Sequence, residues 1–214
     1  MQINSKPNRR IFDLLSAHIL SDRLKESFRR SKNDFTRQRK MPFNKVVLFI
    51  MSLSRRSLQL DLTGFMRSWA DGVRNITVSA FSQNRKKIDP RLFKELLGIL
   101  TTEFYTDNEA RVKRWKGLRL LATDGSTLAL PQTSELARIY GHANNQFDTA
   151  VPCGRCSVLY DVLNDLVLDG VLAPFLVGER EWVRHHLPHC GKDDQVIYDR
   201  GYPGFELMVA VLAR

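Results

Sequence analysis

The stretch Gln195-Val196-Ile197-Tyr198-Asp199-Arg200-Gly201-Tyr202-Pro203-Gly204 is the part of the sequence that decides the fold. It predicts a short buried strand that ends at an aspartate, followed by a Gly/Pro turn into a helix. A similar run lies upstream, where the apolar residues 118–122 lead to Thr123-Asp124-Gly125. A carboxylate at a strand end is a usual place for acid or metal chemistry. We therefore expect Asp124 and Asp199 to lie on neighbouring strands and to hold a divalent cation.

The composition is that of a folded protein whose two halves differ in charge. Of the 214 residues, 43% are hydrophobic, which is enough for a packed core. Residues 1–116 carry 25 Lys and Arg against 11 Asp and Glu, whereas residues 117–214 carry 8 against 12. A basic half joined to an acidic half predicts one part that binds a polyanion and another that binds a cation. A plain Lys/Arg-rich surface is the alternative for the basic half.

Several classes of protein are disfavoured by the sequence. No apolar run reaches the roughly 18 residues that cross a bilayer, and no signal-peptide core follows the first residues. Three cysteines do not suggest a secreted disulfide framework. There is no Gly-rich phosphate loop and no Gly-x-Ser-x-Gly turn. We expect a cytoplasmic protein with no membrane partner and no small-molecule substrate.

The first half of the chain is predicted to be helical. Residues 1–41 form a basic arm with a helix near 9–20, and residues 42–116 form a domain with helices at 43–54, 57–69, 80–88 and 91–105. The third of these helices carries side chains that bind DNA bases and phosphates in helix-turn-helix proteins, so it is a candidate recognition helix. An ordinary basic surface helix is an equal alternative. The candidate contacts are Ser79, Gln83, Asn84, Arg85, Lys86 and Lys87.

The second half, residues 117–214, changes to a pattern of strands. Strands are predicted at 118–123, 156–163, 166–173 and 196–198, with a hairpin turn at Asn164-Asp165. Helices are predicted at 134–140, 178–187 and 205–212. This order predicts a mixed sheet with helices packed on it, and an α+β protein as a whole.

Two alternatives compete with a metal site at Asp124 and Asp199. Asp-Gly is among the commonest turn pairs, so either aspartate could simply form a turn. A zinc site is the other alternative, because two Cys three positions apart with His and Cys about thirty residues later have zinc-ligand spacing. Its residues would be Cys153, Cys156, His185, His186, His189 and Cys190.

Five segments of the chain resemble, in the same order, the insertion-sequence transposases with a DDE, RNase H-like catalytic fold, closest to the group named after insertion sequence four. Residues 121–126 look like their first-aspartate strand, and residues 196–204 look like their second-aspartate region. Residues 156–164 and 178–181 resemble the strand and helix start between the two. Residues 78–88 are similar to their N-terminal helical region.

The resemblance implies a magnesium- or manganese-dependent enzyme of DNA transposition. Asp124 and Asp199 would be its first two catalytic metal ligands, Arg200 and Tyr202 would contact DNA, and the partner would be the DNA at the element ends. A homodimer is left open. The resemblance also implies an N-terminal all-helical DNA-binding domain before the RNase H-like sheet.

The family's third acidic ligand is a glutamate in a Tyr…Arg…Glu…Lys motif well after the second aspartate. Only 15 residues follow Asp199, and Glu206 lies too early for that motif. We therefore expect an N-terminal fragment with an incomplete RNase H-like sheet and no cleavage activity of its own. The alternatives are a non-catalytic DNA-binding regulator and a zinc-stabilised nucleic-acid-binding module.

Overall fold

A computed structural model describes residues 6–37, 39–53, 56–69, 76–107, 111–143, 151–199 and 208–210. Over these residues the protein is mixed α+β, as predicted. The chain divides into two compact units, residues 1–100 and 101–214. In the described part of the chain, no helix is both long enough and apolar enough to span a bilayer.

Helices form the described structure of the first unit. They are α1 (Lys6–Leu20), α2 (Asp22–Phe28), α3 (Phe43–Met51), α4 (Leu58–Arg67), α5 (Val78–Arg85) and α6 (Arg91–Asp107), the last of which continues past residue 100. Five of the six confirm predicted helices. The exception is α2, which begins because the Ser21 hydroxyl accepts a hydrogen bond from the Leu24 backbone N–H at 3.2 Å.

The core of the first unit is built around the rings of Phe49 and Phe81, which meet edge to face with centroids 4.7 Å apart. Leu62 and Met66 of α4 pack into the same cluster. Leu24 and Met41 also belong to it, so the stretch from α2 to α3, which the sequence presents as part of a basic arm, contributes to the core.

A mixed sheet forms the centre of the second unit. Its strands are β1 (Arg119–Ala129), β2 (His142–Ala143), β3 (Val151–Asp161), β4 (Leu166–Pro174) and β5 (Asp194–Ile197). β3 lies between β1 and β4 and is antiparallel to both, β5 runs parallel to β1 along its other edge, and β2 pairs with the start of β3. The predicted hairpin between β3 and β4 is confirmed, and Asp165 adopts a left-handed φ of 55° in its turn.

Helices α7 (Ser134–Tyr140) and α8 (Glu179–His186) complete the second unit, with a 3₁₀ turn at Leu187–His189. The prediction of α7 is confirmed, and the helix is capped by Thr133, whose hydroxyl accepts from the Leu136 N–H at 3.2 Å. Of the predicted helix at 205–212, residues 208–210 are helical and the others lie outside the described residues.

The two faces of the sheet differ in what lies against them. Leu121, Thr123 and Leu159 are on one side, which we call the covered face because side chains of α6 and α8 pack on it. Residues alternate between faces along a strand, so Asp124 and Ile197 belong to the opposite side. We call that side the open face, since both residues are exposed.

The structure corrects the prediction that Asp124 ends its strand. β1 continues through Asp124-Gly125 as far as Ala129, because β3 pairs with it along the whole segment and Asp124 lies opposite Val158. Hydrogen bonding to a strand distant in sequence outweighs the turn preference of an Asp-Gly pair. Asp199 lies two residues past the end of β5, whereas the sequence predicts a strand at 196–198 that ends directly at this aspartate.

Candidate functional site

The parallel pairing of β1 with β5 determines where the two candidate ligands lie. Arg119 is paired with Asp194, and each later pair keeps the same spacing of 75 residues up to Ala122 with Ile197. The last pair lies two residues before each aspartate, because β1 continues to Asp124 and Asp199 follows the end of β5. Asp124 belongs to the open face, since it is two residues from Ala122, the partner of Ile197. The fold therefore places the two strands that lead to these aspartates side by side.

A partly buried ion pair fixes this register at the start of the two strands. The Arg119 guanidinium donates from Nε to Asp194 Oδ1 and from Nη2 to Asp194 Oδ2, both at 2.6 Å. The Asp194 side chain is 1% exposed and also accepts from the Gly191 N–H at 2.8 Å. The hydrogen bonds to Asp194 raise the pKa of Arg119 above its ordinary value. A two-point contact of this kind resists a shift of one strand along the other.

The exposed carboxylates of Asp124 and Asp199 suit a hard cation. Asp124 Oδ1 accepts from the Gly125 N–H at 2.7 Å. The side chains of Asp124 and Asp199 are both exposed. Magnesium often takes one or two protein carboxylates and completes its shell with water and phosphate oxygens. Within the described residues, no group of three or more His, Cys, Asp or Glu side chains is arranged to hold a metal ion. The candidate donors are the single carboxylates of Asp124 and Asp199.

A chain of buried polar groups lies on the covered face, directly behind this position. His186 Nδ1 lies 2.9 Å from Asp169 Oδ2, and His186 Nε2 lies 3.0 Å from Ser157 Oγ. The Ser157 hydroxyl is also 3.4 Å from Thr123 Oγ1. Burial lowers the pKa of His186, so its imidazole is neutral at pH 7. Because a carboxylate only accepts, Nδ1–H donates to Asp169 and Nε2 accepts from Ser157.

The Ser157–His186–Asp169 arrangement has the hydrogen-bond order of a nucleophilic triad, but it cannot act as one. Ser157 is 0% exposed, His186 is 2% exposed and Asp169 is 4% exposed. A nucleophile needs access to its substrate, and these side chains have none. Their role is structural: they join β1, β3, β4 and α8 and hold Thr123, the residue before Asp124.

Asp161 is a second buried acid on the covered face. It is 0% exposed and accepts from the Tyr105 hydroxyl at 2.6 Å, from the Asn164 side chain at 2.8 Å and from the backbone N–H groups of Leu163 and Asn164. Asp161 is paired with Leu121 and therefore lies on the side of the sheet opposite to Asp124. Asp161 fixes the end of β3 and its turn.

The residues of the zinc alternative do not form one ligand set. Cys153 and Cys156 are three positions apart on the same strand and therefore lie on opposite faces of the sheet. His186 is already held by Ser157 and Asp169, and the Cys190 thiol lies 3.7 Å from the backbone oxygen of His186. His185 and His189 lie within 4 Å of Asp169 Oδ2, at 3.5 Å and 3.8 Å.

The candidate DNA contacts in the first unit lie on and just after α5. The helix is capped by the Thr77 hydroxyl, which accepts from the Ala80 N–H at 3.2 Å. Phe81 turns into the core, while Ser79, Gln83, Arg85 and Lys86 are exposed and Asn84 and Lys87 are half-buried. Ser79, Gln83 and Lys86 follow helical spacing on the side opposite Phe81. Arg200 and Tyr202 lie outside the described residues.

Comparisons with known proteins identify no relative of this chain. No protein-family model, no curated protein and no solved structure matches it.

Proposed function

We propose that this chain belongs to the machinery of DNA transposition and is related to the DDE transposases. In this proposal the first unit binds DNA at the ends of an insertion element through α5, and the second unit holds Mg²⁺ or Mn²⁺ at Asp124 and Asp199. The observation that carries the proposal is the constant spacing of 75 residues between paired positions of β1 and β5. That spacing supports the proposal, because Asp124 and Asp199 are both exposed and each lies two residues past the last pair, Ala122 with Ile197.

The strand arrangement gives further support. In the second unit, three antiparallel strands (β1, β3 and β4) are followed by a crossover to β5, which runs parallel to β1 on its free side. An RNase H-like sheet has this arrangement, with its first two acidic residues on the two central parallel strands. The topology therefore supports the expectation that the sequence resemblance raised.

The chemistry assigned to the site is phosphodiester hydrolysis and strand transfer. A divalent cation, when bound, supplies charge neutralisation at the scissile phosphate and a lowered pKa for an attacking water. Asp124 and Asp199 would hold that cation, and the Arg119–Asp194 pair would keep their strands in register. The Thr123–Ser157–His186–Asp169 chain would keep β1 from moving under Asp124.

The helical unit has the side chains that DNA binding requires. The exposed Gln83 can pair with a base edge, and Lys86 can reach a phosphate from the same side of α5. Each phosphate neutralised by a Lys or Arg releases counterions, so binding through this surface weakens as salt rises. The net charge of +14 on residues 1–116 strengthens attraction to DNA over a longer range.

A second candidate function is DNA binding without cleavage, as in a regulator derived from a transposase. It is favoured by the number of carboxylates: the resemblance calls for three acidic ligands, whereas the described residues contain no group of three. In this alternative the chain occupies element ends and competes with a complete enzyme.

The two parts of the proposal can be tested in one binding experiment. Affinity for duplex DNA is measured by fluorescence anisotropy over a range of salt concentrations, with Mg²⁺ or with EDTA. We expect the triple substitution Arg85→Ala, Lys86→Ala and Lys87→Ala to weaken binding and to lower the salt slope by about one for each phosphate that the variant no longer neutralises. Asp124→Asn and Asp199→Asn are expected to remove only the contribution of Mg²⁺.

A matched control removes the same charge from other helices of the first unit. It carries Arg9→Ala, Arg10→Ala and Lys94→Ala, all at exposed positions outside α5. If this control loses as much affinity and salt slope as the α5 triple variant, α5 is not the DNA-binding helix and only general charge attraction remains.

A further inference from the structure

A small basic cavity lies in the first unit, between the segment that follows α2 and the end of α5. Its volume is about 310 Å³. Its walls include the cations Arg37, Arg39 and Lys87 and the amides Asn33 and Asn84, and none of the described residues that line it is acidic. The lining therefore selects an anion that also carries hydrogen-bonding groups.

The wall of the cavity formed by the end of α5 is held in place by hydrogen bonds within the protein. The Arg30 N–H donates to the Lys87 backbone oxygen at 2.9 Å, and the Asp89 N–H donates to the Phe28 backbone oxygen at 2.8 Å. These bonds join the end of α2 to the end of α5. Lys87 Nζ donates to Asn84 Oδ1 at 3.1 Å, which orients the Asn84 amide. A site whose groups are already positioned loses less entropy when it binds.

The loop on the other side of the cavity is held in a strained conformation. Phe35 has a left-handed φ of 58°, which is costly for a large aromatic residue. Arg29 stabilises the loop by donating from Nη1 to the Lys32 backbone oxygen at 2.6 Å, and the Phe35 ring packs edge to face on Phe43 at 5.4 Å. Strain that the surrounding contacts maintain is concentrated at functional sites. In this loop, the strained conformation of Phe35 places its aromatic ring in the wall of a basic cavity.

We propose that this cavity binds one unpaired nucleotide of a DNA strand. Arg37, Arg39 and Lys87 would take its phosphate, and Asn33 and Asn84 would donate to and accept from its base. A volume of about 310 Å³ is at the small end of ligand sites, so it suits one nucleotide and excludes a stacked base pair. The inference rests on the proposed binding of DNA by the first unit and assigns it a preference for DNA with an unpaired end.

The test compares two DNA probes with the full chain. One is a short blunt duplex, and the other is the same duplex with a short single-stranded tail. We expect the tail to tighten binding by at least about five-fold, from contacts to one unpaired nucleotide. The double substitution Arg37→Ala and Arg39→Ala is expected to reduce that gain to less than about two-fold. Thymidine 5′-monophosphate is added as a competitor, and we expect it to reduce the gain as well.

Two further variants keep the test independent of folding. Lys32→Ala removes a cation from the same exposed loop but from outside the cavity, so the gain from the tail should persist. Asn33→Asp has the same shape as the original residue and puts a negative charge at the cavity, so it should abolish the gain. Circular dichroism verifies that each variant is folded.

The possible results separate this inference from the proposed function. If the blunt duplex binds but the tail adds nothing, or if the gain survives in Arg37→Ala/Arg39→Ala, the cavity proposal is wrong and duplex binding stands. If only the tailed probe binds, the cavity proposal stands and recognition of duplex DNA by α5 is wrong. If neither probe binds, both are wrong.

Discussion

The two faces of the sheet in the second unit hold their acidic residues under opposite conditions. On the covered face, Asp161 and Asp169 are buried and surrounded by hydrogen-bond donors. By contrast, Asp124 on the open face and Asp199, which follows β5, are exposed to solvent. A buried carboxylate must be paired, because its desolvation costs several kcal/mol. An exposed carboxylate can exchange its water for a cation.

This difference indicates which acids support the fold and which are available for chemistry. Asp161 and Asp169 each form hydrogen bonds to elements that are distant in sequence, so their role is to stabilise the sheet. Asp124 and Asp199 are exposed, and in the proposed function they hold the cation. Substitutions on the covered face should therefore change stability, whereas those on the open face should change cation binding.

The largest effect is expected from the ion pair that sets the strand register. Asp194→Ala leaves the Arg119 guanidinium without its two-point partner and should lower the free energy of unfolding by about 3 kcal/mol or more. The measurement is urea denaturation followed by tryptophan fluorescence. Asp193→Ala is the matched control, since that side chain is exposed and its backbone oxygen still accepts from Arg119 N–H. Equal stability of the two variants would show that the Arg119–Asp194 ion pair does not stabilise the fold.

The same substitution on the two faces should give different results. Asp161→Ala removes the acceptor of several hydrogen bonds at a buried position, and we expect a loss of about 2–3 kcal/mol. Asp124→Ala, at an exposed position, should change the free energy of unfolding by less than about 0.5 kcal/mol. Comparable losses in the same denaturation assay would contradict the contrast between the faces.

Acid should lower the stability of the protein through His186, which lies on the covered face. Burial lowers the pKa of its imidazole in the folded protein below the ordinary value of 6.5. The unfolded chain then takes up a proton more readily, so stability is full above pH 6.5 and falls as the pH drops below it. We expect the melting temperature to decrease between about pH 6.5 and 5, and His186→Gln to reduce that dependence. His185→Gln, at an exposed neighbour, should leave the decrease in place.

A smaller effect is expected in alkali from Tyr198, next to Asp199. Burial raises the pKa of Tyr198 to about 12. A raised pKa contributes stability that is complete below pH 10 and is lost as the pH rises toward 12. Tyr198→Phe should therefore make the melting temperature less sensitive to pH in this range. Tyr105, whose pKa is also raised by burial, is expected to retain its own dependence in that variant.

Local sequence signals were sufficient for much of the fold. Pro42 and Thr77 mark the starts of α3 and α5, and Asn164-Asp165 marks the turn of the β3–β4 hairpin. These signals act within a few residues, so the sequence displays them directly. That the strands leading to Asp124 and Asp199 are neighbours was also foreseeable, because two similar strand patterns each lead to an aspartate.

The parts that were missed depend on contacts between distant residues. Asp-Gly at 124–125 favours a turn, but pairing with β3 extends the strand through it. The buried polar chain joins Ser157, Asp169 and His186, which share no motif. Two features of the sequence do indicate this buried polar chain. Asp169 interrupts an apolar strand, and His186 follows helical spacing from Trp182 and Val183, both of which are buried. Their partners could be found only in the folded chain.

The most direct test of the central claim is the affinity of the full chain for Mn²⁺, measured from the electron paramagnetic resonance signal of the free ion. If Asp124 and Asp199 hold the cation together, Asp124→Asn and Asp199→Asn should each weaken binding by about ten-fold or more. Asp193→Asn, an exposed acid before β5, should bind as the unaltered chain does. Unchanged affinity in both Asp124→Asn and Asp199→Asn would contradict the shared site.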